Sequence, residues 1–180
     1  MNLPNKLTLF RVILIPFFVI CLLLDPSSLQ LRLAADLIFI IASLTDMLDG
    51  KIARKYNLVT NFGKFMDPLA DKLLVCSAMI CLISTGQLYA WVVIIIVARE
   101  FIISGFRLIA VENGKVIAAN IYGKLKTVSQ MLMIIVLVAN FDFPIWYYLG
   151  QALIWISLVL TVLSLVVYIW QNKEVLKEQN

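Results

Sequence analysis

Histidine is absent from this 180-residue chain. That excludes a histidine-based catalytic triad, a histidine zinc site and an imidazole base, and leaves acid–base work to carboxylates, lysine, tyrosine or water. Cysteine is scarce. Cys21, Cys76 and Cys81 all fall inside apolar segments, where they read as small buried hydrophobes rather than metal ligands or a disulfide framework. Charged residues make up only 14% of the chain. No Gly/Ser-rich linker, low-complexity tract or long charge run divides it, and no internal repeat occurs at solenoid spacing, so a single domain over 1–180 is expected.

What is present is apolar. With 62% hydrophobic residues and a mean hydropathy of +0.96, the chain is too apolar for a soluble domain of its size and reads as an all-α integral membrane protein. The formal charge of +4 does not imply a nucleic-acid partner. Basic residues beside membrane spans have a topological explanation, and no basic, aromatic-interleaved soluble face accompanies them. Membrane lipids are the expected surroundings.

Hydropathy predicts six transmembrane helices, over about 7–24, 31–55, 61–84, 88–110, 120–140 and 145–170, each near the roughly 20 residues that a bilayer requires. The basic start and first apolar run resemble a signal peptide in outline. However, Asp25-Pro26-Ser27-Ser28 offers no Ala-x-Ala-like cleavage site, which favours a retained span. Arg32 and Asp36, four residues apart near the outer end of the second span, read as an interfacial ion pair. Trp146, Tyr147, Tyr148 and Trp170 of the last span suit interfacial belts. Under this topology Lys6, Arg11, Lys51, Arg54, Lys55, Lys64, Arg107, Lys115, Lys124, Lys126, Lys173 and Lys177 lie on one side, whereas the other side holds only Arg32. The positive-inside rule then puts both termini in the cytoplasm, with the protein in the cell (inner) membrane.

One stretch organises the rest, running from Asp46-Met47-Leu48-Asp49-Gly50-Lys51-Ile52-Ala53-Arg54 to Gly63-Lys64-Phe65-Met66-Asp67-Pro68-Leu69-Ala70-Asp71. Spacings of three and four put Asp46 with Asp49, and Asp67 with Asp71, on single helix faces. If the two helices pack together, the four acids converge. Carboxylates so close repel one another unless cations neutralise them, and hard ions such as Mg²⁺ or Mn²⁺ prefer oxygen ligands, so a two-metal site is the natural reading. Arg54 offers paired donors to a phosphate, and Gly50 and Ala53 keep the adjoining surface low. Together these point to phosphoryl chemistry that opens to one membrane face, the cytoplasmic one. A helical hairpin with ordinary polar ends is the plainer alternative. Against it stands the cost of aspartates in or beside membrane-length apolar segments, where such residues are usually functional. A divalent-cation transporter also uses intramembrane acids, although Arg54 and the further basic residues would repel its ion.

The pattern Asp46-x2-Asp49-Gly50-x2-Ala53-Arg54-x8-Gly63-x3-Asp67-x3-Asp71 resembles the signature of the CDP-alcohol phosphatidyltransferases at all eight fixed positions. The resemblance implies a membrane enzyme that displaces CMP from a CDP-linked lipid or alcohol with the help of divalent metal, and that works as a homodimer. It implies Asp46, Asp49 and Asp67 as metal ligands and Asp71 as a further ligand or the general base. Gly50, Ala53, Arg54 and Gly63 would then receive CDP-diacylglycerol. Pro4-Asn5-Lys6-Leu7-Thr8-Leu9-Phe10-Arg11 is similar to the amino-terminal segment of one branch of that family, which adds Asn5 and Thr8 to the same pocket. On the residues alone, Asn5, Thr8 and Arg11 share a helix face whose plainer role is capping and snorkelling.

Arg99, Arg107, Lys124 and Lys126 exceed what neutralising metal-bound aspartates requires, and such a group suits a phosphate dianion. Snorkelling at the interface is the simpler account of Lys126 and Arg107, whereas Arg99 falls near the middle of its apolar segment. The segments Arg99 to Arg107 and Gly123-Lys124-Leu125-Lys126-Thr127 resemble the branch of the family whose acceptor is glycerol 3-phosphate. The resemblance therefore implies an acceptor-phosphate site at Arg99, Arg107, Lys124, Lys126 and Thr127. Inositol phosphate, serine and phosphatidylglycerol are the rival acceptors, and the sixth span has no assigned role.

Overall fold

The computed structural model describes the backbone over residues 3–55, 61–112 and 121–172, and side chains over 5–45, 66–110 and 121–172. There the chain forms α1 (Leu3–Leu24), α2 (Leu29–Lys55), α3 (Asn61–Ser84), α4 (Ala90–Glu112), α5 (Ile121–Ala139) and α6 (Pro144–Gln171), with no strand among the described residues. Among those residues, α1 over Asn5–Leu24, α5 and α6 are long and apolar enough to cross a membrane by length and composition. The other three helices carry the charged residues that lower their hydropathy: Arg32, Asp36, Asp46 and Asp49 in α2, Asp67, Asp71 and Lys72 in α3, and Arg99, Glu100 and Arg107 in α4.

The helix ends follow local chemistry. α1 starts four residues earlier than hydropathy predicts, because Pro4 is tolerated in a first turn and the polar residues beside it do not stop a helix. Between α1 and α2, Asp25 accepts from the Ser27 hydroxyl at 2.5 Å and from the Ser27 N–H at 3.0 Å. These bonds, the hydroxyl's first, hold the Asp25 carboxyl below its ordinary range. α3 runs unbroken through Pro68 and closes on Gly86 at φ +75°. There Gly86 N–H donates to Ile83 O and Gln87 N–H to Leu82 O, both at 3.0 Å, the Schellman pattern that needs a residue free to adopt positive φ. α6 begins with Pro144 in its first turn, behind an extended Phe143.

The chain packs as two compact units. The first comprises residues 1–87 with 134–142. In it α1, α2 and α3 bury one face each: Ile15, Phe18 and Leu22 on α1, Ala35, Phe39 and Ala42 on α2, and Ala70, Leu74, Ala78 and Leu82 on α3. The three- and four-residue spacings keep each set on one stripe, and the alanines let backbones approach closely. Phe18 and Phe39 fill the α1–α2 seam with ring centroids 6.0 Å apart. Large apolar side chains such as Phe17, Ile20 and Leu24 remain exposed on the opposite face, as lipid-facing residues would.

The second unit comprises residues 88–133 with 143–180. Here α4 and α6 run in the same direction, because successive α4 residues meet successive α6 residues. Trp91 lies 5.9 Å from Trp155 by ring centroid, Arg99 bonds Ser164, and Phe106 meets Tyr168 at 6.3 Å. The buried stripe of α6 is unusually polar: Ser157, Thr161 and Ser164 share it with Gly150, Ile154, Leu158 and Tyr168.

The ion pair expected between Arg32 and Asp36 does not form. Both residues are buried, and neither Arg32 Nε nor Asp36 Oδ1 has a hydrogen-bond partner. A four-residue spacing brings side chains near each other but does not join them, and burial fixes each in its own packed rotamer.

Candidate functional site

The residues singled out by pattern fall into a carboxylate cluster in the first unit and a basic cluster in the second.

In the first unit, α1 turns Asn5, Thr8 and Arg11 inward, with Thr8 1% and Arg11 0% exposed. Capping or snorkelling at an interface therefore does not describe them. Thr8 donates its hydroxyl to Asp67 Oδ1 at 2.5 Å, joining the first turns of α1 and α3. Arg11 Nε donates to the Ala42 carbonyl of α2 at 3.3 Å, and the Thr45 hydroxyl reaches the same oxygen at 2.7 Å. Asp67 and Asp71 stand one turn apart on α3, both partly exposed.

Beyond Ala42, α2 continues as helix through positions 46 and 49 to Lys55. Phe18 meets Phe39 and Arg11 meets Ala42, so α2 runs antiparallel to α1 and its later turns lie toward the start of α1. The side chains of Asp46, Asp49, Gly50, Ala53, Arg54 and Gly63 lie outside the described residues. Among the described residues, no group of three His, Cys, Asp or Glu gathers as a metal site. The donor chemistry that is described fits a hard divalent cation. Asp67 is a carboxylate oriented through one oxygen by Thr8, and Asp71, one turn along the same helix, offers a second set of carboxylate oxygens.

In the second unit, one carboxylate organises the basic residues. Glu100 Oε1 accepts from Arg99 Nη1 at 2.8 Å and from Lys126 Nζ of α5. Arg99 turns its other edge to α6, where Nε and Nη2 donate to Ser164 Oγ at 2.9 and 2.6 Å. Arg99 and Lys126 are 8% and 3% exposed. Lys126 is therefore a buried, ion-paired residue, and interfacial snorkelling does not describe it. Two turns along α4, Arg107 is exposed, with its guanidinium carbon 5.9 Å from the Tyr168 ring centroid. Lys124 is exposed, as is Thr127, whose hydroxyl donates to Gly123 O at 3.0 Å. The cluster thus holds two buried, paired cations, Arg99 and Lys126, and two exposed ones, Arg107 and Lys124.

Three residues of this cluster were not singled out by pattern as site residues. Glu100 was visible only as part of a polar face with Ser104 and Arg107, since its partner Lys126 lies 26 residues away. Ser164 and Tyr168 belong to the span without an assigned role. The signal that finds them is the run Ser157, Thr161, Ser164, polar at intervals of four and three in an otherwise apolar helix.

Helices throughout the described residues, a carboxylate pair on α3 and a basic cluster on α4 and α5 suit a membrane phosphotransferase, and comparison with known families agrees. The family model described as CDP-alcohol phosphatidyltransferase matches residues 1–163. The chain belongs to that family of enzymes. It is 44% identical to a Bacillus subtilis protein named CDP-diacylglycerol--glycerol-3-phosphate 3-phosphatidyltransferase, over 99% of each chain. Proteins of the same name from Shigella flexneri serotype 5b and Rickettsia typhi are 42% and 39% identical, over 93% and 91% of this chain and 93% and 92% of theirs.

Proposed function

We infer that the chain transfers the phosphatidyl group of CDP-diacylglycerol to glycerol 3-phosphate, releasing CMP and forming phosphatidylglycerol phosphate. The observation that carries this reading is full-length similarity, at 44% identity, to a relative whose name states that reaction. The basic cluster of α4 and α5 supports an acceptor that brings its own phosphate.

In this reading Asp46, Asp49, Asp67 and Asp71 hold divalent metal, Mg²⁺ or Mn²⁺ and two ions in all. When bound, the metal would neutralise the CDP diphosphate and stabilise the departing CMP. Thr8 fixes the Asp67 carboxylate, while Asn5, Gly50, Ala53, Arg54 and Gly63 receive the nucleotide and diphosphate. Arg107 and Lys124, both exposed, take the acceptor's phosphate, with Thr127 beside them. Arg99 and Lys126, buried and paired, add positive potential. Asp71 accepts the proton of the acceptor hydroxyl, whose oxygen bonds to the lipid-bearing phosphorus as the bond from that phosphorus to the CMP oxygen breaks. Positioning and electrostatics provide most of the gain. The acyl chains stay in the bilayer.

The same reading makes the chain a single domain of six spans in the cell (inner) membrane, with both termini and the active site facing the cytoplasm, acting as a homodimer. The asymmetry of lysine and arginine between alternate connections supports the orientation.

The test is CMP release by the purified protein with CDP-diacylglycerol and Mg²⁺, comparing glycerol 3-phosphate with inositol phosphate, serine and phosphatidylglycerol. Release with glycerol 3-phosphate alone is expected. Release with another acceptor would keep the family and overturn the substrate.

A further inference from the structure

The family match ends at residue 163, one position short of Ser164. Three hydroxyl residues on the buried stripe of α6, each 0% exposed, do different things. Ser157 donates to Ser129 Oγ of α5 at 3.2 Å, and Thr161 donates to the Ser157 carbonyl of its own helix at 2.6 Å. Ser164 is engaged with a charge. Its Oγ donates to the Thr161 carbonyl at 3.3 Å and accepts from both Nε and Nη2 of Arg99. One proton given and two bonds received use the full capacity of a hydroxyl.

This arrangement sets the plane of the Arg99 guanidinium. The edge carrying Nε and Nη2 faces α6, which leaves Nη1 for Glu100, and Glu100 in turn receives Lys126. Ser164 therefore stands at the head of a chain of charge-assisted bonds that crosses from α6 through α4 to α5. Lys126 lies two residues from the exposed Lys124, so the same chain fixes the turn of α5 that carries Lys124. One turn beyond Ser164, Tyr168 supports Arg107 from the same helix.

We propose that Ser164 is a positioning residue for acceptor recognition. By holding the Arg99 guanidinium, it makes α6 part of the acceptor-phosphate site. The proposal rests on the acceptor reading above. Without the hydroxyl, a buried guanidinium edge loses its acceptor and turns away, taking Glu100 and Lys126 with it.

The test is two-substrate kinetics on the purified full chain. Wild-type CMP release across acceptors comes first and judges the glycerol 3-phosphate reading by itself. Ser164→Ala is then expected to raise KM for glycerol 3-phosphate about tenfold, the effect of losing a bond to a buried charge. KM for CDP-diacylglycerol should stay close to wild type. Ser164→Thr, which keeps the hydroxyl, should restore the acceptor KM. An unchanged acceptor KM, an equal rise for both substrates, or a change confined to the thermal midpoint would overturn the proposal, because the bond would then only hold helices together. If the alanine chain does not accumulate, Arg99→Lys asks the same question by keeping the charge and removing the two-donor edge. An acceptor KM unchanged in that variant would also overturn it.

Discussion

Thr8 and Asp67, 59 residues apart in sequence, are joined by a hydroxyl-to-carboxylate hydrogen bond of 2.5 Å between α1 and α3. The bond occupies one oxygen of an aspartate proposed above as a metal ligand, and it orients the carboxylate from α1. Ligands held by such partners keep their geometry, and losing the partner typically costs ten- to hundredfold in metal affinity or activity. Thr8→Val, equal in shape but without the hydroxyl, is expected to lower CMP release about tenfold, while Thr8→Ser retains most of it. Initial rates at saturating substrates decide the matter, and equal rates in Thr8→Val and wild type would remove Thr8 from the site.

The proposed role of Asp71, acceptor of the hydroxyl proton, is more stringent. Asp71→Asn keeps the size and one oxygen but cannot take the proton at neutral pH. Turnover is expected to disappear, whereas binding of CDP-diacylglycerol, followed by calorimetry in detergent, should weaken far less. Chelation by EDTA should also abolish turnover in the wild-type chain, with recovery on adding Mg²⁺ or Mn²⁺. Intact turnover in Asp71→Asn would assign the base elsewhere.

Exposed and buried cations of the second unit should respond differently to substitution. Lys124→Ala is expected to raise KM for glycerol 3-phosphate with little effect on stability, since Lys124 is exposed. Glu100→Gln leaves Arg99 and Lys126 buried beside a neutral amide. Breaking a buried pair in this way costs about 3–5 kcal/mol, so the main effect should be a fall in the thermal midpoint in detergent. If Glu100→Gln were as stable as wild type, the carboxylate would not be the organising group of the cluster.

At the start of α2, Arg32 and Asp36 are buried without contacting each other. Replacing both by leucine removes two polar groups that burial penalises and adds apolar contact. Stability is expected to stay level or rise by about 1–4 kcal/mol. Asp36 lies ten residues before Asp46, roughly 15 Å along the helix, so CMP release should persist. A clear loss of activity in the double variant would give this pair a role that packing does not explain.

Much of the fold was legible because apolar length is a local property. α3 begins and ends where hydropathy predicts, and α6 differs by one residue at each end. α4 starts and stops two residues later than expected, since hydropathy does not register capping or the helix propensity of the polar residues at its end. The aspartate pattern that marks the family was equally legible, because a spacing of three or four residues on a helix is read from sequence alone. Less legible was the partner of each charge. Arg32 and Asp36 looked paired and are not, while Lys126 looked solvent-seeking and is held by Glu100. A four-residue spacing is read along one helix, but the choice of partner is made between helices.

By itself the sequence determined an apolar helical chain, the identity and spacing of the aspartates that mark its family, and a surplus of cations on one set of connections. These follow from composition and from a fixed helical repeat, which require no neighbour. Only tertiary structure decided that Thr8 serves Asp67, that Glu100 gathers Arg99 and Lys126, and that α6 reaches the basic cluster through Ser164 and Tyr168. The reason is physical: a buried charge must find compensation, and the group that supplies it is set by which helix faces meet.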